Sequence, residues 1–429
     1  MRTAAEGATQ PCPECGEEIR RDSRFTVWCA ACDWNVDPQE EQEAQGRLER
    51  AQRVLARRHG EKLLAEVLKG RTLHARRDAA AVVAYGIALA VHGVTVALIA
   101  GGIFCVLWGW GGVMMLLGLF LLVVAAALRP RLPQLPEDEL VLQRADAPEL
   151  YALVDEVAQV VGTGGVDAIA VGKEVNASIM SYGVRGRRLL TLGLPLWEVL
   201  TPQQRVALLG HELGHYGNGD TRHAAVVAMA LRSLTTWRYY FTPIQQPSPV
   251  EIVVNLAFVI PRLLVQGVLM LLDQLTMRAT QRAEYLADRE AARAASTEAA
   301  VALMDRLLVT DSLTVRLRGE ANNAALAGLR SAREAKDQAD EVWTRLTTHM
   351  ASIPDHEYER KRRVAARRGH SVDATHPPTH LRRNCLLAGT PTEAAVLLDD
   401  SRQQRIAAEL ARVRGEVAWR IVRDGVEGQ

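Results

Sequence analysis

The pattern of hydrophobic positions is dominated by residues 79–128, which contain no charged side chain. This run is too long for one membrane span and suits two helices of about 20–25 residues each. Five glycines and two tryptophans within the run predict a turn at the membrane interface: Gly101, Gly102, Trp108, Gly109, Trp110, Gly111 and Gly112. Arginines flank both ends and none lies in the turn, which favours a transmembrane hairpin at 79–129 with both ends in the cytoplasm. A buried hairpin in a soluble protein is the alternative.

Two further apolar segments, 223–241 and 252–272, lie in the second half of the chain. Arginines interrupt the first, and Pro261 with Arg262 interrupts the second. Membrane spans, membrane-surface helices and buried helices are all compatible with such mixed segments. We expect membrane contact for the second segment and leave the first undecided.

Short apolar runs between these regions predict a small β-sheet. Runs at 167–172, 177–182 and 188–193 have the length of strands, and the glycines at the ends of 183–186 predict a hairpin turn. The rest of the chain shows helical periodicity, with amphipathic and charged segments in its last third. The predicted fold class is therefore mostly α with a small β-sheet.

Composition and charge set bounds on size and partners. The chain has 429 residues, 48% hydrophobic content and a formal net charge of +1, so it is long enough for several domains. A near-zero net charge argues against general nucleic-acid binding. We divide the chain into a cysteine-rich segment (1–40), a charged helical linker (41–78), the hairpin (79–129), a main domain (130–390), and a tail (391–429) expected to form two amphipathic helices.

A His-Glu-x-x-His motif lies in the helical pattern that begins after Pro202. Residues four apart share one face of a helix, so His211 and His215 can both direct a ring nitrogen at one metal ion. Glu212 would lie beside the ion, where a general base for a bound water belongs. Two surface histidines on an ordinary amphipathic helix are the alternative.

A catalytic zinc site uses three protein ligands and leaves one position for water, so a third ligand is expected from another helix. Glu284 and Asp288 lie four residues apart in a helical segment and are the best candidates. Glu284 would bind the metal, and Asp288 would accept the second ring N–H of a ligand histidine. A solvated acidic face beside arginines is the alternative.

Four of the six cysteines form two Cys-x-x-Cys pairs near the start of the chain: Cys12, Cys15, Cys29 and Cys32. Two such pairs at this separation predict a zinc ribbon with four thiolate ligands. The segment is too small for a hydrophobic core, so metal binding would supply its folding energy. An iron site of the rubredoxin kind and two disulfides are the alternatives.

Taken together, these motifs resemble the HtpX-like and CAAX-prenyl-protease-type membrane zinc metallopeptidases. The resemblance covers roughly residues 140–390 and is carried by five motifs in order: Asn176-Ala-Ser, Leu190-Thr-Leu-Gly, Leu208-Leu-Gly-His-Glu-Leu-Gly-His with Asp220, Glu284-x-x-x-Asp288, and Thr375-His376-Pro377-Pro378 with Arg382. It implies an α+β zincin-type peptidase domain. His211, His215 and Glu284 match the family's zinc ligands, and Glu212 matches its catalytic base.

The resemblance also implies roles for residues outside the metal-binding set. His376 and Arg382 match an element that stabilises the tetrahedral intermediate or positions substrate. The segment around Asn176 and Ala177 matches the strand edge that binds an extended peptide, an arrangement that gives affinity through backbone pairing. On local grounds, His376 is equally a loop histidine before Pro377, and Asn176 is equally a turn residue.

These observations predict a membrane-bound zinc metalloendopeptidase with its ribbon and active site in the cytoplasm, in a prokaryotic plasma membrane. Its expected cofactors are one catalytic and one structural Zn²⁺, and its expected partners are protein substrates and lipid. A membrane adaptor that uses the ribbon to hold a protein partner, with a gated or vestigial peptidase domain, is the alternative. Nucleic-acid binding by the ribbon has little support.

Overall fold

The computed structural model describes residues 9–38, 47–69, 79–136, 139–217, 221–326, 332–368 and 377–425. Most of the described chain is helical, as the sequence predicted, and the strands form two small sheets, of which the sequence predicted the larger. In chain order the elements are β1 (Thr9–Pro11), β2 (Glu18–Arg20), α1 (Arg47–Leu68), α2 (Ala79–Trp108), α3 (Val113–Leu128), β3 (Leu140–Leu142), α4 (Pro148–Val161), β4 (Ala168–Gly172), β5 (Ala177–Tyr182), β6 (Arg187–Gly193), α5 (Leu194–Val199), α6 (Pro202–Gly217), α7 (Thr221–Tyr240), α8 (Pro249–Ala257), α9 (Val259–Ala295), α10 (Thr297–Leu307), α11 (Thr310–Leu326), α12 (Ala332–Ala351), α13 (Asp355–Arg368), α14 (Thr379–Ala388) and α15 (Asp400–Asp424).

The larger sheet has four strands in the order β3-β4-β6-β5. β4 and β6 are parallel, and the other two pairs are antiparallel. Gly183 and Gly186 both have positive φ, which a side chain rarely tolerates, and they form the turn between β5 and β6. β5 is the last strand in this order, so its outer edge is open within the described chain. β3 is only three residues long, and the strand pattern did not reveal it.

The apolar run forms the helices α2 and α3, but the turn between them differs from the expected one. α2 continues through Gly101 and Gly102, and the chain turns only at residues 109–112. A Cβ atom at Gly118 would lie 2.6 Å from the carbonyl oxygen of Gly102, and one at Gly102 would lie 3.0 Å from that of Gly118. Gly102 therefore permits, together with Gly118, a close contact between the helices and does not form the predicted turn.

The apolar helices leave an unusually large hydrophobic surface exposed. α2 and α9 are long and apolar enough to cross a membrane, with mean hydropathies of 2.2 and 1.3 over their most apolar windows. Leu107, Phe120 and Leu256 are among the exposed large side chains on this surface. α7 packs against α2 and α9 through Ala230 and Leu234. Soluble proteins rarely expose so much apolar area, and the helices are consistent with a membrane protein.

The main hydrophobic core contains residues of the larger sheet and of several helices: α4, α5, α6, the C-terminal part of α9, α10, α11, α12 and α15. The tail was expected to form two helices, but it forms one helix of 25 residues. An unbroken stripe of buried side chains explains this difference: Ile406, Leu410, Val413, Val417 and Ile421 recur at helical spacing. This stripe packs the tail against the core.

The cysteine-rich segment packs against α13. Asp33 forms ion pairs with Arg363 at 2.6 Å and with Arg367 at 2.8 Å. The guanidinium of Arg363 also lies over the Trp28 ring, 5.1 Å from its centroid. Arg360 donates a hydrogen bond of 2.9 Å to the backbone carbonyl of Val36. One face of the segment is thus occupied by its own chain.

The glycine contact between α2 and α3 is testable by a single added methyl group. We expect Gly118→Ala to destabilise the protein by about 1–3 kcal/mol, because its Cβ would overlap the backbone of α2. Gly93→Ala on α2 is the matched control, since a Cβ there meets no atom within 4 Å. Melting temperatures in detergent would measure both effects, and equal melting temperatures would contradict the role of Gly118.

Candidate metal centre

α6 carries the predicted histidine motif and begins with a capping box. The Thr201 backbone N–H donates to Gln204 Oε1 at 3.0 Å, and the Gln204 N–H donates to Thr201 Oγ1 at 3.4 Å. One turn of helix separates His211 from His215, and their ring centroids lie 4.9 Å apart. The helix therefore presents both imidazoles at one place, as the spacing predicted.

Two glycines of α6 allow α9 to approach its backbone closely. A Cβ atom at Gly210 would lie 3.0 Å from the Cα atom of Ala291, and one at Gly214 would lie 2.9 Å from that of Ala287. The alanines on α9 complete a contact between two small surfaces. This contact brings Glu284, on the same helix as Ala287, to the two histidines.

The structure brings the three predicted metal ligands together. Glu284 Oε2 lies 3.5 Å from His211 Nε2, and Glu284 Oε1 lies 3.5 Å from His215 Nε2. One ligand atom from each residue can be chosen so that all lie within 4.8 Å of one another. Two imidazole nitrogens and a carboxylate are a donor set typical of catalytic zinc. The residues present therefore fit this metal.

Asp288 and Arg382 lie behind the histidines and are almost completely buried. Asp288 Oδ1 lies 3.0 Å from His211 Nδ1, so the carboxylate can accept the second ring N–H, as expected. Arg382 donates to both oxygens of Asp288, at 2.8 and 2.6 Å. The family resemblance implies that Arg382 contacts the substrate or the tetrahedral intermediate. No feature of the sequence predicts its contact with Asp288.

Electrostatic interactions keep the buried side chains of Asp288 and Arg382 charged. Burial alone would raise the pKa of Asp288, but the Arg382 guanidinium and His211 hold that pKa well below its ordinary value. Burial and Arg382 would lower the pKa of His211, but Asp288 raises it. Asp288 thus remains an acceptor that fixes the orientation of the His211 ring.

A cavity of about 220 Å³ opens beside these residues. Asn176 and Ala177 line it together with His211, Glu212 and Glu284, so the structure places the predicted substrate edge at the metal centre. Five apolar residues that the sequence did not reveal also line the cavity and form an apolar wall: Leu196, Leu208, Leu303, Met304 and Leu307. Leucines of this kind occur in any helical core, so the sequence carried no signal for the wall.

The hydrogen-bonding pattern of β5 leaves alternate backbone groups at its open edge. Gly193 N–H donates to the Asn176 carbonyl at 2.7 Å, which makes these residues a hydrogen-bonded pair with β6. Since such pairs alternate along antiparallel strands, the backbone groups of Ala177 and Ile179 point away from β6. The Asn176 side chain accepts from the Ala177 N–H at 2.9 Å. Ile179 therefore offers both its N–H and its carbonyl to an added strand.

Three residues of the resembling motifs, Asp220, Thr375 and His376, lie outside the described residues. The predicted role of His376 therefore stays a prediction from the sequence.

The four N-terminal cysteines form a second cluster that could hold a metal. The Sγ atoms of Cys12 and Cys32 lie 3.7 Å apart. Burial raises the pKa of Cys12, but hydrogen bonds with the backbone of Cys15 and Glu14 lower it to about 7. A hydrogen bond with the Trp34 backbone lowers the pKa of Cys32, whereas burial and the neighbouring thiols raise it to about 12. A bound cation would stabilise the four cysteines as thiolates.

A histidine pair and a carboxylate beside an open strand edge are the arrangement expected of a metallopeptidase. A model of peptidase family M48 matches residues 144–388, which is more than half of the chain. The chain belongs to peptidase family M48. No curated protein and no solved structure matches it. The cysteine cluster and the apolar hairpin lie outside the matched region.

The close contact between α6 and α9 predicts that one methyl group can disrupt the metal site. We expect Gly214→Ala to reduce metal content at the histidine site and to destabilise the protein by about 1–3 kcal/mol, because its Cβ would press on the backbone of Ala287. Gly319→Ala on α11 is the control, since a Cβ there meets no atom within 4 Å. Metal analysis of both purified variants tests this; full metal content in Gly214→Ala would contradict it.

The contact between Asp288 and His211 predicts that Asp288 strengthens the binding of metal at the histidine site. Asp288→Asn removes the charge that orients the His211 ring, so we expect metal affinity to fall about 10–100-fold. Asp305→Asn is the control, because Asp305 pairs with Arg362 and Arg383 on α13 and α14 and not with a predicted ligand. Titration with a competing chelator would measure both affinities, and identical values would refute the role of Asp288.

Proposed function

We propose that this member of family M48 is a zinc-dependent metalloendopeptidase that cleaves protein substrates. One observation carries the proposal: a single cavity contains the three predicted ligands, Glu212 and the open edge of β5. An extended peptide paired with β5 would therefore run past the metal centre. His211, His215 and Glu284 would hold the zinc.

The reaction assigns a distinct task to each residue around the substrate. Zinc, when bound, would lower the pKa of a coordinated water and polarise the scissile carbonyl. Glu212 would take a proton from the attacking water and deliver it to the leaving amine. Asp288 would hold the His211 ring in place, and Arg382 would keep Asp288 charged. In this arrangement Nε and Nη2 of Arg382 position Asp288, whereas its Nη1 lies 3.5 Å from Glu284 Oε2 and Arg382 also lines the cavity, where it would help to stabilise the intermediate.

The walls of the cavity support binding of peptides in extended form. The backbone N–H and carbonyl of Ile179 would pair with the substrate backbone, which gives affinity without selecting a sequence. The apolar wall formed by Leu303, Met304 and their neighbours would receive an apolar side chain near the scissile bond. These features suit a protease that accepts many unfolded or extended segments.

We further propose that the protein is anchored in a membrane by α2, α3 and the apolar half of α9, with its catalytic domain in the cytoplasm. The exposed apolar surface of these helices supports the anchoring. Positive residues flanking the hairpin support the orientation. Exposed Arg232 and Arg238 on α7 are better placed at a membrane surface than in lipid.

The adaptor alternative receives less support from the packing of the cysteine-rich segment. A face that was a candidate for a protein partner already contacts α13 through Asp33 and Trp28. We infer that the segment is a structural zinc ribbon that packs against the peptidase domain.

The proposed mechanism predicts a clean separation of metal binding from catalysis. Glu212→Gln should retain two zinc ions per chain and lose casein cleavage by at least about a hundredfold, because general-base catalysis contributes that much. Glu298→Gln, at an exposed position at the start of α10, is the matched control and should cleave normally. Metal analysis and a casein assay on the same detergent-purified samples test this. Undiminished cleavage by Glu212→Gln would refute the mechanism.

A further inference from the structure

A second cavity lies away from the metal centre, at the start of the helix that carries the histidines. Its volume is about 320 Å³, within the usual range for small-molecule sites. α5, the first turns of α6, α12 and α15 form its walls. Its main polar and aromatic side chains are Trp197, Glu198, Arg205, Trp343, Gln403 and Arg414.

Arg205 is the unusual group in this cavity. The residue is 8% exposed, and its Nε donates to the Trp197 backbone carbonyl at 2.9 Å. Its guanidinium lies over the Trp197 ring, 5.1 Å from the centroid. Within the described residues, no carboxylate lies within ion-pairing distance of this guanidinium; the nearby Glu198 pairs with Arg414 at 3.2 Å.

Two other arginines of the described chain, Arg360 and Arg382, are at least as deeply buried, and each contacts a carboxylate. Arg382 contacts both oxygens of Asp288, and Arg360 contacts both oxygens of Glu357 at 2.7 Å. A buried charge is costly unless a counter-charge lies against it. Among the buried arginines in the described part of the chain, Arg205 is thus the one whose guanidinium lacks a contacting carboxylate.

The position of Arg205 in the helix adds to this cost. It lies in the first turns of α6, where the helix dipole favours negative and not positive charge. Burial lowers the pKa of Arg205, although Glu198 raises it, yet an arginine side chain stays protonated at neutral pH. An anion bound in the cavity would compensate both the charge and the dipole.

We propose that this cavity binds a carboxylate attached to an apolar body, with the carboxylate paired to Arg205. The guanidinium can offer its two terminal nitrogens to the two oxygens of a carboxylate. The indole rings of Trp197 and Trp343 and the side chain of Leu410 offer a surface for the apolar body. A free organic acid and the C-terminus of a peptide both present this chemistry.

The test uses the full-length protein in detergent and 3-phenylpropionate as the probe, with 3-phenylpropionamide as its uncharged counterpart. We expect the acid to change the tryptophan fluorescence and raise the melting temperature, and the amide to bind at least about tenfold more weakly, because charged hydrogen bonds carry that much affinity. The same comparison is made with a peptide, acetyl-Gly-Phe, with either a free or an amidated C-terminus. Stronger binding of the dipeptide acid than of 3-phenylpropionate would identify a peptide terminus as the better ligand. Equal affinities of acid and amide in both comparisons would overturn the proposal.

Variants distinguish this cavity from the metal centre, which also attracts carboxylates. Arg205→Met should lose the affinity for the acid while remaining folded by circular dichroism, because an apolar side chain of similar length fills the space. Arg205→Lys keeps the positive charge but lacks the two terminal guanidinium nitrogens, so it should bind the acid with intermediate affinity. Arg405→Met on α15 is the control, since exposed Arg405 pairs with Glu149 outside the cavity. Undiminished binding to Arg205→Met would place the acid elsewhere and refute the proposal.

Discussion

The close contact between α6 and α9 is the constraint on which the metal centre depends. A methyl group at Gly214 would overlap the Cα atom of Ala287, and one at Gly210 would force Ala291 to shift. Only at this separation can Glu284 reach two histidines that lie far from it in sequence. The same α9 is 37 residues long, about 55 Å at the usual helical rise, and its first half is the apolar segment. One helix therefore links the metal centre to the proposed membrane anchor.

Local spacing identified the two pairs of residues that the structure brings together at the candidate metal centre. A helix places residues four apart on one face, so His211 with His215 and Glu284 with Asp288 could each be recognised as a pair. Their meeting in space followed from the resemblance to a metallopeptidase family, since no local pattern states which helices pack together. The strand edge near Asn176 was predicted in the same way, and the structure places it at the same cavity.

Features created by tertiary contact could not be predicted. The sequence predicted a turn at Gly102, because a glycine in an apolar run can either form a turn or pack against another helix and the sequence alone does not distinguish the two. The partner of Arg382 depended on where α14 packs, and the docking of Asp33 on α13 joins residues from opposite ends of the chain. The apolar wall of the cavity is made of ordinary core residues, and only its position beside the candidate metal centre points to the proposed role in substrate binding.

α6 connects the two cavities, with Arg205 near its start and His211 six residues later, about 9 Å along the helix axis. A ligand beside Arg205 would stabilise the folded protein by mass action, since the unfolded chain lacks the cavity. An effect on catalysis would require a second arrangement of α6 that the ligand favours or disfavours. The tight packing of Gly210 and Gly214 on α9 resists such a shift. The physical role expected for the second cavity is therefore to stabilise the helix that positions the metal, and not to switch it.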